Sequence, residues 1–214
     1  MDASAWDERY AASELVWSRE PNQFVAAELA DLPAGTAVDL AAGEGRNAIW
    51  LASRGWTATA VDFSQVALDK GARLAADLDS SLDASLDVTL DLEWVCADAT
   101  TWQPPHPVDL VVIAYLQVPA EDRRRGVRSA ASMLRPGGTL LLVAHDSTNI
   151  AEGTGGPQDP AVLMTAEDVL TDLEGIEVEV VRAERVAREV RSADEHGGEE
   201  RRTAWDCLVR VVRR

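Results

Sequence analysis

Three aspartates sit in or just beyond short apolar runs: Asp39 within residues 36–42, Asp62 after 57–61 and Asp98 after 92–96. An ionised carboxylate only accepts hydrogen bonds, through four lone-pair sites. At the end of a buried strand it can hold a ribose diol, an adenine amine or a ligand ammonium. By position, Asp62 suits the ribose and Asp98 the amine. Asp39 suits loop amides or an ammonium. Gly43-Glu44-Gly45-Arg46-Asn47 leads from the first run into a helical pattern. Glycines there let the backbone approach a ligand and expose the amides of a helix N-terminus. The G-x-G-x-x-G dinucleotide fingerprint is absent, and no P-loop occurs. An acidic cleft favours a cationic nucleoside over a pyrophosphate.

A second group of candidates follows later strands. His145 ends the run 139–144 and precedes Asp146. Imidazole titrates near neutral pH, and a neighbouring carboxylate raises its pKa, so His145 is the candidate general base. A strand-end histidine bonding to loop backbone is the other reading. His106, in a Pro-rich loop, and His196, in a turn, carry no such pattern. Residues 146–164 form a long Gly- and Pro-bearing connection, expected to act as a substrate lid. Arg9, Tyr10, Arg46, Gln117 and Gln158 are candidate lining residues.

The elements that must position these groups alternate. Strands are expected over 36–42, 57–61, 92–96, 108–114 and 139–144. Helices are expected after Gly45, after Ser64 as N-cap, and around Val127, Ala130, Ala131 and Leu134 up to the stop at Arg135-Pro136-Gly137-Gly138. Thr165-Ala166-Glu167-Asp168 reads as a capping box. Two closing strands, near 176–190 and 203–212, pair most simply as an antiparallel hairpin. The expected fold is α/β, a Rossmann-like, mostly parallel seven-stranded sheet with a C-terminal antiparallel hairpin and helices on both faces. It forms one domain, with N-terminal cap helices over 1–33, a core over 34–145, and a lid loop, helix and hairpin over 146–214. Leu78, Leu82, Leu86 and Leu90, each followed by aspartate, drift about 40° per step on a helix and read as an expanded connection without chemistry.

The net charge of −17 repels phosphate backbones, so a nucleic-acid partner is not expected. Arg123-Arg124-Arg125 is expected on the solvated face of a helix. No run reaches the ~20 apolar residues of a membrane span, and Met1–Glu8 lacks a signal-peptide pattern, so the expectation is a cytoplasmic protein, monomer or homodimer. Cys96 and Cys207 read as buried small hydrophobes, and the three histidines show no metal-ligand spacing.

VDLAAGEGRNAIWLA resembles motif I of class I S-adenosylmethionine-dependent methyltransferases, usually written D-L-G-C-G-x-G. AVDFS resembles motif II, CADAT the acidic motif after strand three, PVDLVVIAYL motif IV, and LRPGGTLLLVA the strand-five motif. WDERYAASELVWSREPN further resembles the tellurite-resistance and thiopurine or thiol methyltransferase branch, where an N-terminal segment caps the cofactor. The resemblance implies adenosylmethionine as cofactor and adenosylhomocysteine as product. It implies Gly43 and Gly45, with Arg46 and Asn47, around the methionine moiety, Asp62 on the ribose, Asp98 and Ala99 near adenine, and Phe63 and Ser64 beside the adenosine. Ala114 and Tyr115 would lie by the sulfonium, with Tyr115 a catalytic candidate beside His145, and Trp17 would close over the cofactor or simply pack a loop. Ala41 and Ala42 depart from the usual Gly and Cys, and the Ala41 methyl tightens the methionine end. In-line methyl transfer to a small acceptor mainly needs positioning and exclusion of water. The alternatives are an NAD(P)-dependent oxidoreductase, which would lack its glycine fingerprint and Tyr-x-x-x-Lys relay, and a non-catalytic adenosyl-binding module.

Overall fold

The computed structural model describes residues 3–12, 15–16, 18–81, 89–193 and 199–214; Trp17, His196 and the 82–88 part of the Leu-Asp repeat lie outside them. Seven strands form one sheet: β1 (Thr36–Leu40), β2 (Thr57–Asp62), β3 (Leu92–Cys96), β4 (Val108–Ala114), β5 (Leu134–His145), β6 (Val178–Ala193) and β7 (Glu199–Arg213). Their order is β3-β2-β1-β4-β5-β7-β6. β1 to β5 pair in parallel, and β7 joins antiparallel to both β5 and β6. The helices are α1 (Ala3–Ala11), α2 (Gln23–Leu29), α3 (Arg46–Ser53), α4 (Gln65–Ser81), α5 (Ala120–Met133), α6 (Asn149–Glu152) and α7 (Ala166–Asp172).

The apolar strands are buried on both faces, which is why they lack polar alternation. On β4, Val111 and Ile113 enter one core with Val127, Ala130 and Met133 of α5 and Val169 of α7. Leu110 and Val112 enter the other, with Val25 and Leu29 of α2 and Leu51 and Ala52 of α3. β5 alternates likewise, Leu140 and Leu142 to the first core and Leu141 and Val143 to the second. The chain runs outward from β1 in one direction and resumes at β4 in the other. A crevice therefore opens at the C-terminal ends of β1 and β4.

Local chemistry sets the boundaries. Ser64 accepts the Ala67 amide at 3.1 Å and starts α4. Thr165 and Asp168 complete the capping box of α7. Several expectations change. Leu134 opens β5 opposite Val108 rather than ending the preceding helix, and the register shift after Val108 accommodates Arg135–Gly138. At that shift the Asp109 carboxylate accepts the Thr36 amide and hydroxyl and the Arg135 guanidinium. Arg123 is buried rather than solvated, because its Nε lies 2.6 Å from Asp172 and ties α5 to α7. Cys96 is exposed, since β3 is an edge strand; Cys207 is buried, which pushes its thiol up to about 12. The 146–164 connection contains α6 and a 3-10 turn at Pro160–Val162, and Asn149 pins it by accepting the Trp205 amide and donating to Gly155.

Candidate active site

β1 delivers Asp39 to the floor of the crevice. The side chain is 1% exposed; Oδ2 accepts the Ala48 amide at 3.2 Å, and Oδ1 has no hydrogen-bond partner. Burial pushes this carboxyl up to about 7, against the opposing pull of the Ala48 amide and Arg46. An orphaned buried acceptor is costly, so it marks a place where a donor belongs. β2 delivers Asp62, whose Oδ2 accepts the Gly43 amide at 2.8 Å and Oδ1 the Ser64 amide at 2.9 Å. Burial raises its pKa too, and the charge of Asp7 adds to the rise. Each oxygen keeps a lone pair for a further donor.

The turn between them is strained. Ala41 adopts φ 58, a left-handed conformation that costs a non-glycine residue of order 1–2 kcal/mol. Gly43 and Gly45 have φ 57 and 73. At Gly45, a Cβ would also fall 2.4 Å from the Trp94 ring, so glycine is demanded there by packing as well as by conformation. The Gly-x-Gly spacing shows the ligand-approach reason alone; the packing reason needs Trp94 of β3 in place. Arg46 donates to Ser18 at 3.2 Å and burial lowers its pKa; Asn47 accepts the Asn22 amide at 3.0 Å. After β3, Asp98 is exposed and its Oδ1 is held by the amide and hydroxyl of Thr100, while Ala99 is buried behind it. Phe63, half-buried, follows Asp62.

Glu44 was missed as a positioning residue. It is 3% exposed, accepts the Val16 amide at 3.1 and 3.2 Å, and lies 3.8 Å from Lys70, which itself donates to the Tyr10 carbonyl. Together with the Ser64–Asp7 bond, these contacts lay the N-terminal segment against the 43–47 turn. Only the Gly-Glu-Gly spacing hinted at it. Of the lining candidates, Tyr10 is buried, whereas Arg9 and Gln158 are exposed. Gln117 presents a buried Nε2 without a partner.

The strands on the other side of β1 bring a second cluster together. Tyr115 directly follows β4, next to half-buried Ala114, and also adopts a left-handed φ of 62. Its hydroxyl donates to Asp206 Oδ2 at 2.8 Å and accepts from Asn22 at 3.3 Å. Burial and Asp206 hold the phenol above its ordinary range, which keeps its proton in place. His145 ends β5, with its ring 4.9 Å from that of Tyr115. The carboxylate beside it is not Asp146, which is turned into the loop to hold the Thr148 amide and hydroxyl. Cross-strand register supplies Asp206 instead, opposite His145 on β7, with Oδ1 3.2 Å from Nδ1. Arg188 of β6 donates Nε to Asp206 Oδ2 at 2.6 Å and lies over the Tyr115 ring. Burial works to raise the Asp206 pKa, but the adjacent His145 imidazole and the bonds from Arg188 and Tyr115 bring it below the ordinary value. Neither Asp206 nor Arg188 was identified in the sequence, because only the hairpin register brings them here.

Among the described residues, no group of three His, Cys, Asp or Glu side chains could hold a metal ion, and no helix is long and apolar enough to cross a membrane. Residues 37–138 match the family described as a methyltransferase domain. The chain is similar to thiocyanate methyltransferase 1 of Brassica oleracea, 25% identical over 175 residues, covering 79% of this chain and 73% of that protein. Its fold is similar to that of the N-methyltransferase NodS of Bradyrhizobium japonicum in complex with S-adenosylhomocysteine, with TM-score 0.69, 17% identity, and 99% and 97% of the two chains covered. A structure solved for the conversion of a disulfide bond into a thioacetal group during echinomycin biosynthesis aligns with TM-score 0.70 and 19% identity over 99% of this chain and 92% of that one.

Proposed function

We propose that this chain, a class I S-adenosylmethionine-dependent methyltransferase, methylates a small acceptor enclosed between its N-terminal segment and the loop after β5. The observation that carries the cofactor assignment to residues is the unpartnered, buried Oδ1 of Asp39, one strand away from Asp62. An ammonium donor satisfies that oxygen and offsets its burial, whereas a pyrophosphate would meet two carboxylates. In this reading Asp39 takes the α-ammonium and the free lone pairs of Asp62 take the ribose diol. The 41–47 turn, through Ala41, Gly43, Gly45, Arg46 and Asn47, wraps the methionine end. Phe63 and Ser64 flank the adenosine, Asp98 and Ala99 border the adenine, and Ala114 lies beside the sulfonium.

The bound cofactor supplies a methyl group already activated on a positively charged sulfur. The protein therefore orients the nucleophile and excludes water, with Tyr115 as a wall and His145 as the group that takes a proton where the nucleophile carries one. Kinship with a thiocyanate methyltransferase supports sulfur nucleophiles as the first acceptors to try. The acidic surface supports a small molecule over nucleic acid. The two free cysteines suit the reducing cytoplasm.

Adenosylmethionine and adenosylhomocysteine are each expected to raise the melting temperature by mass action. Stabilisation by NAD alone would overturn the cofactor reading. A small-molecule panel with labelled methyl donor then tests the acceptor class. Transfer only to protein or oligonucleotide would refute the small-acceptor reading and leave the cofactor assignment standing.

A further inference from the structure

The hairpin that closes the sheet also places a carboxylate and a guanidinium, Asp206 and Arg188, against the acceptor end of the crevice. Asp206 is fully buried, faces His145 in register across β5 and β7, and sits 3.2 Å from its Nδ1. A carboxylate so placed in a protein interior must be compensated. Arg188 Nε and the Tyr115 hydroxyl do so on Oδ2, while Oδ1 takes a longer bond of 3.5 Å from Arg188 Nη2 and faces the imidazole. No described residue hydrogen-bonds His145 Nε2. A Cβ on Gly156 would lie 2.9, 2.9 and 3.0 Å from Cδ2, Nε2 and Cε1. Near-equal distances to three ring atoms place that contact over the face of the imidazole. Gly156 therefore does not occupy the in-plane lone-pair direction of Nε2.

We propose that Asp206 is the positioning residue of an aspartate–histidine dyad, in which it holds the Nδ1–H tautomer of His145 and leaves Nε2 to take the acceptor's proton. The proposal rests on the methyltransferase reading and extends it to acceptors whose nucleophile is protonated at neutral pH, such as a hydroxyl, thiol or amine. As the nucleophile attacks, its bond to the methyl carbon forms and the carbon–sulfonium bond breaks, its electron pair returning to sulfur to give adenosylhomocysteine. The proton of the nucleophile passes to Nε2, and the imidazolium so formed lies against the Asp206 carboxylate. In this structure the Nδ1–Oδ1 approach is close but not aligned as a hydrogen bond. Catalytic hydrogen bonds are often loose until substrate is in place. The charged and titratable groups around the dyad are Tyr115 just after β4, Arg188 from β6 and Asp206 itself from β7, with Arg46 of α3 near enough to feel Tyr115 and Arg188. Asp146 is turned into the loop.

Nitrogen-15 NMR of histidine-labelled protein with adenosylhomocysteine tests the dyad without needing the natural acceptor, because the chain holds only three histidines. His145→Gln assigns its signal. At pH 8 the wild-type His145 signal is expected to show Nδ1 protonated and Nε2 bare. In Asp206→Asn the Nδ1–H tautomer of His145 is expected to lose that predominance, because the carboxylate that holds it is gone. A wild-type tautomer with the proton on Nε2 overturns the proposal even if the variant fails to fold. An unchanged tautomer in a folded variant overturns it too. Calorimetric binding of adenosylhomocysteine, followed in parallel, reports separately on the cofactor reading, because Asp206 lies away from Asp39 and Asp62.

Discussion

Asp39→Asn separates what the buried carboxylate costs the free protein from what it contributes to binding. The native carboxyl is pushed up to about 7 from an ordinary 3.8. Between these values the native state holds a proton that the unfolded chain has lost. Its contribution to stability therefore falls as pH rises and levels off above about 7. At pH 5 the native group lies two units below its pKa while the unfolded group is ionised. At 1.36 kcal/mol per unit, moving from pH 8 to pH 5 gains about 2.5 kcal/mol from this residue. For a chain of this length that is a melting shift of about 5–10 °C. Asparagine cannot titrate, and its amide still leaves a buried donor unmatched at a cost of about 1–3 kcal/mol. The expected result is that thermal melts of wild type and variant, without ligand, converge at pH 8 and separate at pH 5. Adenosylhomocysteine should stabilise the wild type more at pH 8 than at pH 5, and the variant little at either. Parallel melting-versus-pH curves for the two proteins would refute the claim that Asp39 is a desolvated, uncompensated acid.

Asp62→Ala is expected to weaken adenosylhomocysteine binding by about 2–4 kcal/mol, read by calorimetry, because it leaves ribose hydroxyls and the Gly43 amide unpaired. Ala41→Gly should raise stability by about 1 kcal/mol in thermal melts, since the left-handed φ of 58 no longer carries a side chain. Arg123→Ala should cost about 2–4 kcal/mol, because Asp172 stays buried with only Arg124 beside it; an unchanged melting temperature would mean that the α5–α7 ion pair contributes nothing. Asp109→Ala should remove stability at neutral pH but little in acid: hydrogen bonds from Thr36 and Arg135 hold this carboxyl below its ordinary pKa, so its contribution vanishes as pH falls through that lowered value.

The sheet was legible because its signal is local. Residues 108–114 are apolar throughout and bounded by breakers, Ser64 and Thr165 carry caps, and the Arg135–Gly138 stop marks the turn into β5. What misled is equally physical. Leu134 continues a helical period but has extended backbone, since pairing with Val108 outweighs one more apolar position on α5. Arg123 belongs to a charged triplet, and only the arrival of Asp172 from α7 makes its burial tolerable. On the cofactor side, Asp39 and Asp62 stood out because each is an acid in, or at the end of, its own apolar strand. The acceptor side could not, for Asp206 lies sixty-one residues beyond His145 and meets it only through antiparallel register. Asp146 occupied the obvious place in sequence and a different place in space.

The same register gives the closing hairpin a quantised tolerance to change. Arg188 stands opposite Ala204 while Asp206 stands opposite Val186, so the guanidinium reaches its carboxylate along the diagonal of the β6–β7 ladder. Residues 189–193 and 199–203 run on past that diagonal toward the tip. Shortening the tip by matched pairs leaves every face where it was, and removing one residue from one strand between the diagonal and the turn can be absorbed there. A single-residue deletion in β7 between Asp206 and Arg213 is different in kind. Period-two alternation then sends either Asp206 or the core row of Cys207, Val209 and Val211 to the wrong side of the sheet. The length of the arm is thus free to vary during evolution, whereas its parity beside β5 is not.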